Sequence, residues 1–77
     1  MNSDQQAREL LSRVMSIPFE SIDSSVRIGA TKQWDSLTHM NLILSIEEAV
    51  GRRLHPSEYL EIEDFDSLKA FFDTLST

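Results

Sequence analysis

Ala7, Leu10, Leu11 and Val14 near one end of the chain, and Leu68, Phe71, Phe72 and Leu75 near the other, repeat one spacing: i, i+3, i+4, i+7. That spacing puts four apolar side chains on one face of an α-helix. Between them, Leu42, Ile43, Ile46, Ala49 and Val50 cluster on one side of a third helical wheel, at about 100° per residue. No run alternates apolar and polar residues with the period of two that a half-buried strand requires. Three such stripes in 77 residues can be hidden only against one another. The expected fold is a small all-α bundle, one domain over residues 1–77.

The punctuation agrees with the stripes. Ser3 and Gln6 have capping-box spacing and predict a first helix from Ser3, with the regularity broken by Pro18. A long aperiodic stretch follows, "SIPFESIDSSVRIGATKQW", in which Ile17, Phe19, Ile22, Val26 and Ile28 recur as pegs for holding a loop across the helices. "PFESI" reads as one short helical turn, and Gly29 as a turn with positive φ. The second helix is expected over 36–50, with Asp35 as N-cap and Gly51 as its stop. "PSEYLEI" is a short third element with Pro56 at its first position, and a last helix follows, capped by Asp66 or Ser67.

The composition narrows the function classes. Thirteen acidic residues against seven basic ones leave a net charge of −6, which repels nucleic acid and anionic membranes and favours basic partner surfaces. Arg52-Arg53 is the one basic doublet, too little to track a phosphate backbone. No run is long enough to cross a membrane, "LILSI" being typical, and "MNSDQQAREL" lacks the basic and apolar regions of a secretory signal. The absence of cysteine removes disulfides and thiolate metal sites, so a cytoplasmic, reducing setting is expected. "EIEDFD" lacks the glycine and the bidentate acid of a calcium loop, and no metal site is expected.

The second helix carries more than a core stripe. Leu37, Met40 and Leu44 fall on another arc of the wheel, together with Asn41, Glu47 and Glu48. A helix in so small a domain has one core to face, so this second arc is expected to be partly exposed. Apolar anchors rimmed by carboxylates suit a transient docking surface, where acids steer encounter and Leu and Met adapt to contact. Coverage by the loop before Trp34 is the alternative for the same residues.

The tripeptide Asp-Ser-Leu occurs twice, at 35–37 and 66–68. Either copy alone is a helix cap. The second opens a helix whose apolar residues all point into the core, so Ser67 reads as structural. The first opens the helix with two apolar arcs.

From that first copy onward, "WDSLTHMNLILSIEEAVGRRLHPSEYLEIEDFDSLKAFFDTL" resembles the acyl carrier proteins of fatty acid, polyketide and related pathways, and the first helix with its pegged loop fits the remainder. The resemblance implies a four-helix bundle with a long first loop and a short third helix. It implies a monomeric, non-catalytic carrier in which Ser36 receives a 4′-phosphopantetheine arm from coenzyme A, installed by a Mg²⁺-dependent phosphopantetheinyl transferase. The arm's thiol carries the cargo as a thioester. Asp35 is implied in recognition by the transferase, and Leu37, Met40, Asn41, Leu44, Glu47 and Glu48 in docking partners. Those partners are an acyl-loading ligase or acyltransferase, and downstream synthases or transferases. Thr38 and Asn41 stand where carriers of fatty acid synthesis usually have acids, and Trp34 before the tripeptide resembles discrete carriers of specialised pathways. Trp34 also reads as a packing residue over the helix start, like a hydrophobic staple.

Acyl, aminoacyl or peptidyl, and glyceryl-type carriers share this frame, because the loading enzyme chooses the cargo. An unmodified helical interaction module is the rival reading. An enzyme is the weaker one: Ser36 and His39, at i, i+3, could pair as nucleophile and base, but nothing in the spacing supplies a pocket or a third, orienting group. On the wheel, His39 falls on the core side.

Overall fold

The computed structural model describes residues 2–75 and contains four α-helices. They are α1 (Ser3–Met15), α2 (Ser36–Val50), α3 (Pro56–Tyr59) and α4 (Phe65–Leu75), with a 3₁₀ turn at Phe19–Ser21 in the long first loop. Among the described residues the one β-type pairing is an isolated antiparallel bridge between Arg27 and Asp64. Among the described residues no helix is long and apolar enough to cross a membrane.

Helix α1 is the element on which the others close. It packs against α4, α2 and the 3₁₀ turn, and it buries Ala7, Leu10, Leu11 and Met15. Val14, expected in that stripe, is only partly buried. The cap differs from the expected Ser3–Gln6 box. The Asn2 side chain accepts the Gln5 amide at 2.8 Å, which frees the Ser3 hydroxyl to donate to Asp73 on α4. Asn is as good a cap as Ser, and the tertiary bond to α4 favours this arrangement. The helix ends at Ser16, whose φ of 56° is left-handed, two residues before Pro18.

The long loop is held by backbone bonds as well as by apolar pegs. Ile28 donates its amide to the Glu63 carbonyl at 2.8 Å, and Phe65 donates to the Val26 carbonyl at 3.0 Å. These two bonds sew the loop to the start of α4. Ile22 and Val26 are buried, while Ile17 and Ile28 pack at the edge of the core. Phe19 is the exception and is exposed. It lies under the Arg8 guanidinium, which also covers Phe65 and donates to the Ile22 carbonyl. Gly29 turns at φ 84°, as its sequence position predicts.

Helix α2 spans the expected residues, with Asp35 capping it and Gly51 closing it at φ 76°. Its buried residues are Leu42, Ile43 and Ile46. Val50 is partly buried and Ala49 is exposed, so the core stripe narrows towards the C-terminal end. There Ala49 borders a shallow groove with Gln6, Val50 and Phe72 in place of a close-packed neighbour.

Helix α4 starts one residue earlier than Asp66. Asp64 occupies the capping position, accepting the Ser67 amide at 2.7 Å. Phe65, Leu68 and Phe72 are buried, Phe71 is half-buried, and Leu75 is exposed near the end of the described chain.

Candidate functional site

The two Asp-Ser-Leu copies occupy different positions in their helices. In the second, Ser67 is the third residue of α4 and its hydroxyl is fully used. It accepts the Glu63 amide at 2.9 Å and the Asp64 amide at 3.0 Å, and donates to the Asp64 carbonyl at 3.0 Å. One donor and two acceptor sites are all that a hydroxyl has. Asp66 accepts from the Ser24 hydroxyl, and Leu68 is completely buried. This copy ties the start of α4 to the loop before it.

In the first copy the aspartate of the tripeptide is itself the cap. Asp35 is extended, and its carboxylate accepts the Thr38 amide at 2.8 Å. That amide, with the Thr38 hydroxyl second, holds the exposed carboxyl below its ordinary value. Ser36 is the first residue of α2 and is exposed. Among the described residues its hydroxyl has no hydrogen-bond partner. It therefore stands in solvent at a helix N-terminus, with the loop from Ser16 ending beside it.

Leu37, Met40 and Leu44 descend from Ser36 along one side of α2. They are 73%, 58% and 58% exposed, so the loop before Trp34 does not cover them. Asn41 and Glu48 are exposed alongside. Glu47 is half-buried and has an internal partner, its carboxylate accepting the Leu54 amide at 2.7 Å. The expected acidic rim is thus two different residues: Glu48 is open, and Glu47 also anchors the turn after α2.

Two features escape sequence reading. Leu60, at the C-terminal end of α3, is 71% exposed. A one-turn helix has no stripe from which to tell its faces apart. Arg52 is the second: both of its terminal nitrogens meet the Glu58 carboxylate, at 3.1 and 2.9 Å. Arg52, with the His55 amide next, holds Glu58 down to about 2. The charge of the arginine doublet is therefore half spent on fixing α3.

No protein-family model matches the chain, and comparison with curated proteins returns no match.

What remains is the chemistry of the site itself. Trp34 is buried, and its indole N–H donates to Nδ1 of His39 at 3.0 Å. The two rings lie 6.0 Å apart and 26° from parallel. His39 Nδ1 is thereby engaged with Trp34, and no hydrogen bond joins His39 to Ser36. Shallow clefts of 360 and 390 Å³ adjoin Arg52 and Leu75, past the other end of α2, and Ser36 lines neither. The surface around Ser36 is open to solvent. It offers one free hydroxyl, a capped helix start and an apolar ridge.

Proposed function

We propose that the chain is a discrete acyl carrier protein, with Ser36 as the attachment point for 4′-phosphopantetheine. The observation that carries this reading is the contrast between the two serines. The Ser36 hydroxyl is exposed and uncommitted, whereas the Ser67 hydroxyl has every bonding site filled. On this reading α1, α2 and α4 form the bundle of a carrier, with α3 as its short third helix and residues 16–35 as its long first loop.

The residues around Ser36 fit a phosphodiester. A negative group there would meet the amide end of α2, where unpaired N–H groups and the helix dipole favour anions. The hydroxyl oxygen forms the bond to phosphorus as the nucleotide part of coenzyme A leaves. When attached, the arm supplies a thiol that carries cargo as a thioester. Asp35 keeps the first turn of α2 wound while the transferase engages it. Leu37, Met40 and Leu44 give partner enzymes an apolar ridge, and Glu48 adds a charge that steers basic surfaces. The chain itself performs no chemistry on the cargo, and its setting is the cytoplasm.

Intact mass tests the proposal. The purified chain is incubated with coenzyme A, Mg²⁺ and a broad-specificity phosphopantetheinyl transferase, beside Ser36→Ala and Ser67→Ala variants. One added arm, kept in Ser67→Ala and absent from Ser36→Ala, is the expected result. No added mass on folded wild-type chain overturns the carrier reading and favours an unmodified interaction module using the same ridge.

A further inference from the structure

The Trp34–His39 hydrogen bond spans the residue that the carrier reading makes functional. Trp34 stands two residues before Ser36 and His39 three after it. Their side chains close a ring over Asp35, Ser36, Leu37 and Thr38. Inside it lie two shorter closures, Asp35 Oδ1 to the Thr38 amide at 2.8 Å and the Asp35 carbonyl to the His39 amide at 2.9 Å. The first turn of a helix lacks backbone acceptors for its own amides and frays most readily. Here two side-chain bonds, Asp35 to the Thr38 amide and Trp34 to His39, add to the ordinary first backbone bond of the helix.

Trp34 is a firm anchor for the outermost fastening. It is 1% exposed, donates its amide to the Thr31 carbonyl at 2.9 Å, and accepts the Gly29 amide at 3.3 Å. The indole N–H can only donate. His39 must then present an unprotonated Nδ1, with its neutral-ring proton on Nε2. Phenylalanine would fill the space on the core side of α2 but leave the buried indole N–H unpaired. Histidine fills it and supplies the acceptor.

We propose that Trp34 and His39 are positioning residues for Ser36: a side-chain clasp that holds the first turn of α2, and with it the Ser36 hydroxyl, in the orientation presented to the phosphopantetheinyl transferase. The proposal rests on the carrier reading. The clasp touches neither coenzyme A nor the reacting atoms. It acts through the backbone of residues 35–38, so its loss weakens productive engagement of the carrier more than the chemical step.

Three variants separate this role from simple packing. His39→Phe keeps a ring and removes the acceptor. Trp34→Phe keeps an aromatic body and removes the donor. His39→Asn retains an oxygen close to the place of Nδ1 and serves as the conservative rescue. Each is followed by circular dichroism, by the exchange rate of the indole N–H in nitrogen-resolved NMR, and by steady-state arm transfer at saturating coenzyme A with the carrier varied. In wild type the indole N–H is expected to be protected and His39 to carry its proton on Nε2. His39→Phe and Trp34→Phe should raise KM for the carrier by about tenfold with a smaller change in kcat, and His39→Asn should recover most of that loss.

A folded His39→Phe or Trp34→Phe with wild-type KM overturns the clasp while leaving the carrier reading intact. So does an unprotected indole N–H in wild type. If His39→Phe loses its helical signal, Trp34→Phe decides. Failure of wild type to accept any arm overturns the carrier reading, and the clasp's function with it.

Discussion

The carboxylate of Glu47, in the last turn of α2, accepts the backbone amide of Leu54 at 2.7 Å. Leu54 is buried, so one acid on the candidate docking helix also fixes where the chain re-enters the core. Glu48, its neighbour, is exposed and makes no such bond.

Glu47→Lys and Glu48→Lys are therefore expected to differ. Glu47→Lys leaves the Leu54 amide without its charged acceptor and should cost about 1–2 kcal/mol in urea unfolding. Glu48→Lys should change stability by less than about 0.5 kcal/mol. It should weaken binding of a basic partner most at low salt, where screening is least. Equal stability of the two variants would remove the Glu47–Leu54 bond as an anchor.

The two serines separate in the same way. Ser67→Ala strips the Glu63 and Asp64 amides of their acceptor and should destabilise by about 0.5–2 kcal/mol. Ser36→Ala removes a hydroxyl without an internal partner and should stay within about 0.5 kcal/mol of wild type. Chemical denaturation of both reads the difference.

Truncations in the apolar arcs should follow burial. Ile46 is fully buried, and Ile46→Ala should cost about 2–5 kcal/mol. Phe71→Ala is expected to cost less than Ile46→Ala, because Phe71 is only half-buried, although it packs edge-on against Phe72. Leu37→Ser should leave the unfolding midpoint almost unchanged, since the side chain is 73% exposed. Binding of partner enzymes, if they use the ridge, should fall.

Acid should loosen the turn after α2. Glu58 is held down to about 2 by Arg52, against an ordinary value of 4.5. A depressed carboxyl contributes stability above its unfolded value and loses that contribution as pH falls through its folded one. The Arg52–Glu58 contribution is thus fully present above about pH 4.5 and lost progressively towards pH 2. Asp35, also lowered, acts with the same sign below its ordinary 3.8. Unfolding midpoints measured from pH 7 to pH 2 should fall less steeply in Glu58→Gln than in wild type.

Much of this was legible in spacing and punctuation. The span of α2, its Asp35 cap and its Gly51 stop follow from local rules: a capping carboxylate, a helical run and a residue free to take positive φ. The exposure of Leu37, Met40 and Leu44 follows from counting faces, because a helix with two apolar arcs and one core must leave one arc outside. The caps of α1 and α4 lie one to three residues before the expected positions, at Asn2 and Asp64. At such ends several polar side chains compete for the same amides, and distant partners settle the competition. Asp73 draws the Ser3 hydroxyl away from capping, and the bonds from the Ile28 amide to Glu63 and from the Phe65 amide to the Val26 carbonyl hold Asp64 at the head of α4.

The sequence by itself determined the helical class, the limits of α2 and the two-faced character of that helix, since each depends on residues within a few positions of one another. Only the tertiary structure decided which Asp-Ser-Leu serine is free, that Glu47 has an internal partner, and that Trp34 meets His39 through a hydrogen bond. Two identical tripeptides carry identical local preferences. What surrounds them in the fold differs: α4 begins two residues before Ser67, whose hydroxyl bonds the backbone of Glu63 and Asp64 just ahead of it, while α2 begins at Ser36 itself, where no described group reaches the hydroxyl.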